Sequence, residues 1–149
     1  MKIALIGSSG GHLNQLLQLE SFWKDKPRFW VTFDKTDARS ALQNETKYFA
    51  YYPTNRNIVN LLKNTILAFK VIWKERPDLI ISTGAGVAVP FFFVGKLLGA
   101  KTVYIEVFDR VDSATLTGRL VYHVTDLFLV QWPEMLKVYK KAKYIGRLY

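Results

Sequence analysis

The 149-residue sequence predicts an α/β fold, a Rossmann-like parallel sheet with helices on both faces. Three observations carry this expectation. Short β-rich runs alternate with stretches of helical periodicity. The centre of one run, Leu79-Ile80-Ile81, is continuously apolar, as expected of a strand buried on both faces. Turns of small residues, Gly7-Ser8-Ser9-Gly10-Gly11 and Thr83-Gly84-Ala85-Gly86, follow two of these runs at the strand-to-helix position.

The first strand is expected over Lys2–Ile6, followed by the glycine-rich turn and a helix from Leu13 to Lys24. Strands over Arg28–Phe33 and Lys47–Tyr52, the latter ended by Pro53, flank a short helix over Thr36–Gln43. A long helix follows from Asn57 to Glu75, then a strand over Asp78–Ser82. Pro90 suits a first helical turn, so the next helix starts near it and ends before Gly99. A strand over Thr102–Glu106, a helix over Ala114–His123, a strand over Leu127–Val130 and a helix over Pro133–Lys140 complete the chain. No repeat, linker or low-complexity segment interrupts it, so residues 1–149 read as one domain.

Hydrophobic residues make up 50% and aromatic ones 15%, which argues against disorder and leaves apolar surface for a partner or a lipid. The formal charge of +9, from 21 Lys and Arg against 12 Asp and Glu, favours anionic lipid, diphosphates or nucleic acid. The basic residues are dispersed and no nucleic-acid motif interleaves them, so nucleic acid is set aside. With no cysteine, two histidines and no clustered ligand motif, neither a metal nor another cofactor is expected. The N-terminal apolar run is too short for a signal peptide. The longest apolar region, Leu79 to Ala100, is broken by Ser82, Thr83, Gly84, Gly86, Pro90 and Lys96, so no bilayer span is expected. The expected location is cytoplasmic, peripheral on a membrane face.

The turn Gly7-Ser8-Ser9-Gly10-Gly11-His12 lets the backbone approach a ligand, and free N–H groups at the following helix start can meet phosphate or hydroxyl oxygens. It matches neither G-x-G-x-x-G nor a Walker A loop, and a tight turn without a ligand is the plain alternative. Gly84 and Gly86 sit in a second turn at the carboxyl end of a central strand, the edge where open α/β sheets bind ligands. Close backbone packing is the alternative there. Glu106, ending its strand, is placed to accept from a sugar hydroxyl or to act as a base. In the loop after it, Asp109 and Arg110 can pair with other charges, and Asp112 or Ser113 can cap the next helix.

At 100° per residue, Arg56, Lys63, Lys70 and Lys74 fall within about 40° of one another on an otherwise apolar helix. Such a stripe suits an anionic membrane surface, with Trp73 and Phe91-Phe92-Phe93 as further docking aromatics. A core-packed helix with one solvated stripe is the alternative.

Taken together, these turns resemble a family. Gly7-Ser8-Ser9-Gly10-Gly11-His12 is similar to the glycine-rich turn opening MurG-type GT-B glycosyltransferases, and closer to the PssD/CpsF-like polysaccharide biosynthesis proteins. The latter are similar to the acceptor-side, membrane-anchoring subunit of the two-subunit enzyme that adds the second N-acetylglucosamine to dolichol-linked sugar. Ser82-Thr83-Gly84-Ala85-Gly86, Tyr104-Ile105-Glu106, Leu116-Thr117-Gly118-Arg119 and Val130-Gln131-Trp132-Pro133-Glu134 look like the family's later motifs. The resemblance spans essentially the whole chain.

It implies the N-terminal, acceptor-binding half of a GT-B enzyme, working in capsule or exopolysaccharide synthesis. A donor-binding partner subunit would hold the UDP-sugar, and the acceptor would be a polyprenyl-diphosphate-linked sugar. Without the N-terminal anchor of the eukaryotic relative, docking on the anionic membrane would fall to surface helices or the partner. His12 and Glu106 would be the catalytic candidates, either of them the base, and Ser9, Gly10, Gly11, Gly84, Gly86 and Arg110 would bind the acceptor. A scaffold that only recruits and activates its partner is the second reading.

Overall fold

The structure, a computed structural model, describes residues 1–148. Seven parallel strands form one sheet in the order β3-β2-β1-β4-β5-β6-β7. They are β1 (Ile3–Gly7), β2 (Arg28–Phe33), β3 (Lys47–Ala50), β4 (Leu79–Gly84), β5 (Lys101–Ile105), β6 (Leu127–Val130) and β7 (Lys143–Tyr144). The helices are α1 (Gly11–Leu17), α2 (Glu20–Trp23), α3 (Thr36–Ala41), α4 (Ile58–Glu75), α5 (Ala88–Leu97) and α6 (Leu116–Val121).

Side-chain alternation splits the core into two layers. Ile3 and Leu5 of β1 pack with Leu13, Leu16, Trp23, Trp30 and Leu42 on the face covered by α1 to α3. Ala4 and Ile6 pack with Phe29, Ile80, Phe91, Phe92 and Tyr104 on the face covered by α4 to α6. Each fully buried Phe contributes about 2 kcal/mol. Phe91 and Phe92 are therefore core residues, a correction to the expected docking aromatics, and of the three only Phe93 is exposed.

Strand order reverses between β1 and β4: the chain leaves β1 toward β2 and β3, then returns to β4 on the opposite side of β1. The crevice beyond the carboxyl ends of these two strands is where such sheets hold ligands. Gly95 lets α5 lie against β4, since a Cβ there would come 2.2 Å from Cδ1 of Ile80.

Several elements differ from expectation for identifiable reasons. The helix expected over Leu13–Lys24 is two helices, and at the break the Leu16 carbonyl accepts from both the Leu19 amide at 3.1 Å and the Trp23 indole at 3.0 Å. The cap of α6 is Thr115, neither Asp112 nor Ser113, and its hydroxyl accepts from the Gly118 amide at 2.9 Å. The Pro133–Lys140 helix is a 3-10 turn over Pro133–Lys137, after which Tyr139 enters the core. β7 has two exposed residues and no alternation that a sequence reading could detect.

Two partly buried carboxylates stitch this frame. Asp126 accepts from Lys96 (2.6 Å) and the Thr102 amide (2.8 Å), joining α5, β5 and the start of β6. Glu45 accepts from Arg28 (2.7 and 2.8 Å) and the Trp30 indole (2.7 Å). Burial works against ionisation of both, but the donors prevail and hold both carboxyls below their ordinary values. Because these folded-state values are depressed, the stabilisation is complete above the unfolded value near pH 4 and is lost as pH falls through the folded value. We predict that the melting temperature falls as pH drops from about 5 to 3, and that Glu45→Gln with Asp126→Asn flattens this fall. An unchanged acid slope in the double variant would show that other groups carry it.

Candidate functional site

The crevice is built on a contact between the turn after β1 and the end of β4. The Thr83 hydroxyl donates to the His12 carbonyl at 2.6 Å, and Nδ1 of His12 lies 2.8 Å from the Thr83 carbonyl. A carbonyl only accepts, so this bond places the proton on Nδ1 and leaves Nε2 of the neutral ring as a free acceptor. Gly84, at φ 105°, occupies a conformation that side-chain-bearing residues rarely adopt. A Cβ there would come 3.0 Å from the imidazole and 3.2 Å from the Tyr104 hydroxyl. Gly86 admits Thr54, whose Oγ1 would be 2.9 Å from a Cβ.

The N-terminal glycine turn behaves less simply than its sequence suggests. Gly10 needs its freedom at φ 77°, but its amide is already engaged by the Asp37 carboxylate at 2.7 Å. A Cβ on Gly11 would meet nothing within 4 Å, so packing gives no reason for glycine there. Ser9 is half-buried beside them. Asp37 was not legible in the sequence, because an acidic residue in the first turn of a short helix reads as a helix-stabilising charge.

Glu106 follows β5 as expected, but its carboxylate turns inward and is 1% exposed. It accepts from the Tyr139 hydroxyl (2.7 Å), the Thr115 hydroxyl (2.9 Å) and the Thr115 amide (3.2 Å). The Tyr104 hydroxyl lies 3.5 Å away. Burial first, then the neighbouring Glu106, pushes Tyr139 far above the ordinary phenol value, so it stays a donor. The expectation of a carboxylate presented to ligand meets a different geometry: Glu106 is a bracket that holds the start of α6. Tyr104 and Tyr139 were missed by sequence reasoning because aromatic residues at those positions read as core.

Gln131 belongs to the same frame. Its amide donates to Gln15 (2.6 Å) and to the Glu106 carbonyl (3.0 Å), and its oxygen accepts from the Leu148 amide (3.0 Å). Trp132 donates to the Phe108 carbonyl at 2.5 Å. The segment after β6 thus supports α1 and the loop after β5.

A cavity of about 410 Å³ opens between the starts of α4, α5 and α6. His12, Gly86, Tyr104, Arg110, Thr115 and Thr117 contribute its polar lining, and Ile58, Leu61, Leu116 and Leu120 its apolar walls. Arg110 reaches Ser113 only at 3.4 Å. Ser9, Gly10 and Gly11 lie outside this cavity; Gly10 and Gly11 line a second one with Asp37.

The basic stripe is also redrawn. Arg56 precedes α4, with φ 51°, so it does not continue the helical stripe and lines the cavity. Lys63, Lys70 and Lys74 remain exposed on α4. Beside them runs an apolar stripe, Ile58, Leu62, Ile66, Phe69 and Trp73, between 43% and 74% exposed. At 100° per residue these five span about 80°. The opposite face carries the buried Asn64, Ala68, Val71 and Ile72. Among the described residues, no helix is long and apolar enough to cross a membrane, and no cluster of potential metal ligands occurs.

Solved structures with this fold include MurG of Acinetobacter baumannii, at TM-score 0.75 and 19% identity, covering 90% of this chain and 43% of that one. The UDP-N-acetylglucosamine 2-epimerase of Rickettsia bellii superposes at TM-score 0.77 and 13% identity, covering 99% and 45%. The chain thus spans less than half of each, and the likeness is to their fold alone, the Rossmann-like parallel sheet shared with MurG. In sequence, the human UDP-N-acetylglucosamine transferase subunit ALG14 is 29% identical over 180 residues, covering 99% of this chain and 83% of that protein. The Schizosaccharomyces pombe subunit of the same name is 44% identical over 75 residues, 47% of this chain and 36% of that protein. The family model described as "Oligosaccharide biosynthesis protein Alg14 like" matches residues 3–148, and the chain belongs to that family.

Proposed function

We propose that residues 1–149 form the single acceptor-side half of a bipartite glycosyltransferase, working with a partner half that binds the UDP-sugar. The observation that carries this reading is the crevice at the β1–β4 reversal, where one cavity joins a tied histidine, an arginine and apolar walls. Such a lining suits an acceptor with a polar sugar end, a diphosphate and a polyprenyl tail. Family membership and relatives named as transferase subunits support it. The bacterial polysaccharide setting, capsule or exopolysaccharide of the PssD/CpsF type, is the part of the proposal that rests on the sequence resemblance alone.

His12 is the reacting residue in this mechanism. Nε2 takes the proton of the acceptor hydroxyl as its oxygen bonds to the anomeric carbon of the donor sugar. The bond from that carbon to the diphosphate breaks, and UDP leaves with the electron pair. A positioned base of this kind contributes about 100-fold or more. Thr83 fixes the imidazole, Gly84 leaves room for it, and Arg110 with the Ala85-Gly86 turn borders the acceptor. Glu106 acts at one remove, by holding Thr115 and the start of α6. That inward role favours the scaffold reading at Glu106 but leaves His12 to decide the matter.

At the membrane, α4 would lie with its apolar stripe in the lipid headgroup region and Lys63, Lys70 and Lys74 against anionic lipid, on the cytoplasmic face. Trp73 is 61% exposed and stacks under the Arg76 guanidinium at 3.8 Å, an amphipathic tip suited to that depth.

We predict that the purified chain transfers no sugar alone and that adding the partner restores transfer. In the reconstituted pair, His12→Ala lowers turnover about 100-fold or more with only a small change in melting temperature, because the bond from the Thr83 hydroxyl to the backbone carbonyl at that position is kept. Glu106→Gln lowers the melting temperature by roughly 4 °C or more, together with turnover, because it breaks buried bonds to a charged group. Near-normal turnover of the assembled His12→Ala pair would establish the scaffold reading instead.

Co-sedimentation should favour anionic over neutral vesicles, by about 1 kcal/mol per lysine near the surface. Lys63→Gln with Lys70→Gln should weaken binding and reduce its salt dependence, and Leu62→Gln with Ile66→Gln should weaken it at every salt concentration. If neither pair changes co-sedimentation, α4 is not the docking face.

A further inference from the structure

Arg56 sits in an unusual setting. Its backbone is held in the left-handed region at φ 51°, a conformation that non-glycine residues adopt sparingly and that gathers at ligand clamps. The segment before it is held at two points: Thr54 fills the space left by Gly86, and the Asn60 side chain donates to the Pro53 carbonyl at 2.8 Å. Asn57, the next residue, caps α4 by accepting from the Asn60 amide at 3.0 Å. The Arg56 side chain has no carboxylate within salt-bridge distance among the described residues. It lines the same cavity as Arg110 and His12, and no Asp or Glu lines that cavity. By contrast, the cavity at the glycine turn contains Asp37, whose carboxylate holds the Gly10 amide. An anion is repelled there and attracted to the cavity with the two arginines.

We propose that Arg56 and Arg110 together form a diphosphate-binding clamp, and that the diphosphate of the lipid-linked acceptor sits between α4 and α6, not on the glycine turn. Two guanidiniums approaching from different loops can each offer paired N–H donors to a separate phosphate, so the site prefers a diphosphate to a single phosphate. Ile58, Leu116 and Leu120 continue the cavity in apolar surface, so a prenyl chain on the diphosphate adds to binding. This deepens the proposed acceptor role and rests on it only for the identity of the natural ligand.

The test is calorimetric titration of the full chain with inorganic pyrophosphate, orthophosphate, geranylgeranyl diphosphate and UDP at low salt. Pyrophosphate should bind more tightly than orthophosphate, and geranylgeranyl diphosphate more tightly than either. Arg56→Gln should weaken pyrophosphate and geranylgeranyl diphosphate about tenfold or more, and Arg56→Lys should lose less. Lys140→Gln, an exposed charge far along the chain, should change neither. In the reconstituted pair Arg56→Gln should raise the acceptor KM with a smaller effect on kcat. Equal losses in Arg56→Gln and Lys140→Gln, no pyrophosphate binding by the wild type, or an Arg56 effect confined to UDP would each overturn the clamp. Sugar transfer with an unchanged acceptor KM in Arg56→Gln would sink the clamp and leave the transferase reading standing. Arg56-dependent pyrophosphate binding in a pair that glycosylates no lipid-diphosphate acceptor would do the reverse.

Discussion

Two hydrogen bonds between His12 and Thr83 tie the start of α1 to the end of β4, and the crevice is arranged around them. The strands are neighbours in the sheet, but the turns that leave them diverge to opposite faces, toward α1 and α5. Without a tie, a histidine on the first turn would rotate freely. With the ring nitrogen against one carbonyl of Thr83 and the backbone held by its hydroxyl, both orientation and tautomer follow. Gly84 is the condition for this arrangement, because its φ of 105° is one that side-chain-bearing residues rarely adopt and a Cβ there would crowd the imidazole at 3.0 Å.

The opposite wall of the crevice depends on a buried carboxylate. Glu106 gathers donors from two segments, Thr115 at the start of α6 and Tyr139 after the 3-10 turn. The Thr115 hydroxyl has two duties, accepting from the Gly118 amide as a helix cap and donating to Glu106. Gly118 is demanded by the same crowding, since a Cβ would come 2.5 Å from the Glu106 carboxylate and 2.4 Å from the Tyr139 hydroxyl. A buried charge left with fewer donors would be costly, so the geometry of α6 follows from satisfying this one group.

α4 separates the two surfaces of the protein. One face packs on the sheet through Asn64, Ala68, Val71 and Ile72, where buried Asn64 accepts from the Tyr51 amide at 2.8 Å and donates to the Tyr51 carbonyl at 3.0 Å. The other face leaves apolar residues in the open beside three lysines. A helix that is greasy on both sides has no purely solvated face. Its N-terminal end meets the cavity at Ile58 and Leu61, so the candidate lipid face and the candidate acceptor site adjoin.

The sequence by itself determined the parallel sheet and the places where its turns open. A short apolar run such as Leu79-Ile80-Ile81, bounded by Pro77 and a turn of small residues, reads as a strand covered on both faces, and small residues after β1 and β4 mark tight strand-to-helix turns. It also located His12, because a histidine leaving such a turn is close to the sheet edge whatever the packing. Only the tertiary structure decided which way side chains turn and what satisfies them. Glu106 looks available in sequence and is buried, because its partner Tyr139 lies 33 residues away. Arg56 looks helical by periodicity, but Asn57 caps the helix after it and sends Arg56 into the cavity. Periodicity reports the face a residue occupies on its own element. Hydrogen-bond partners and cavities arise between elements, and no local pattern encodes them.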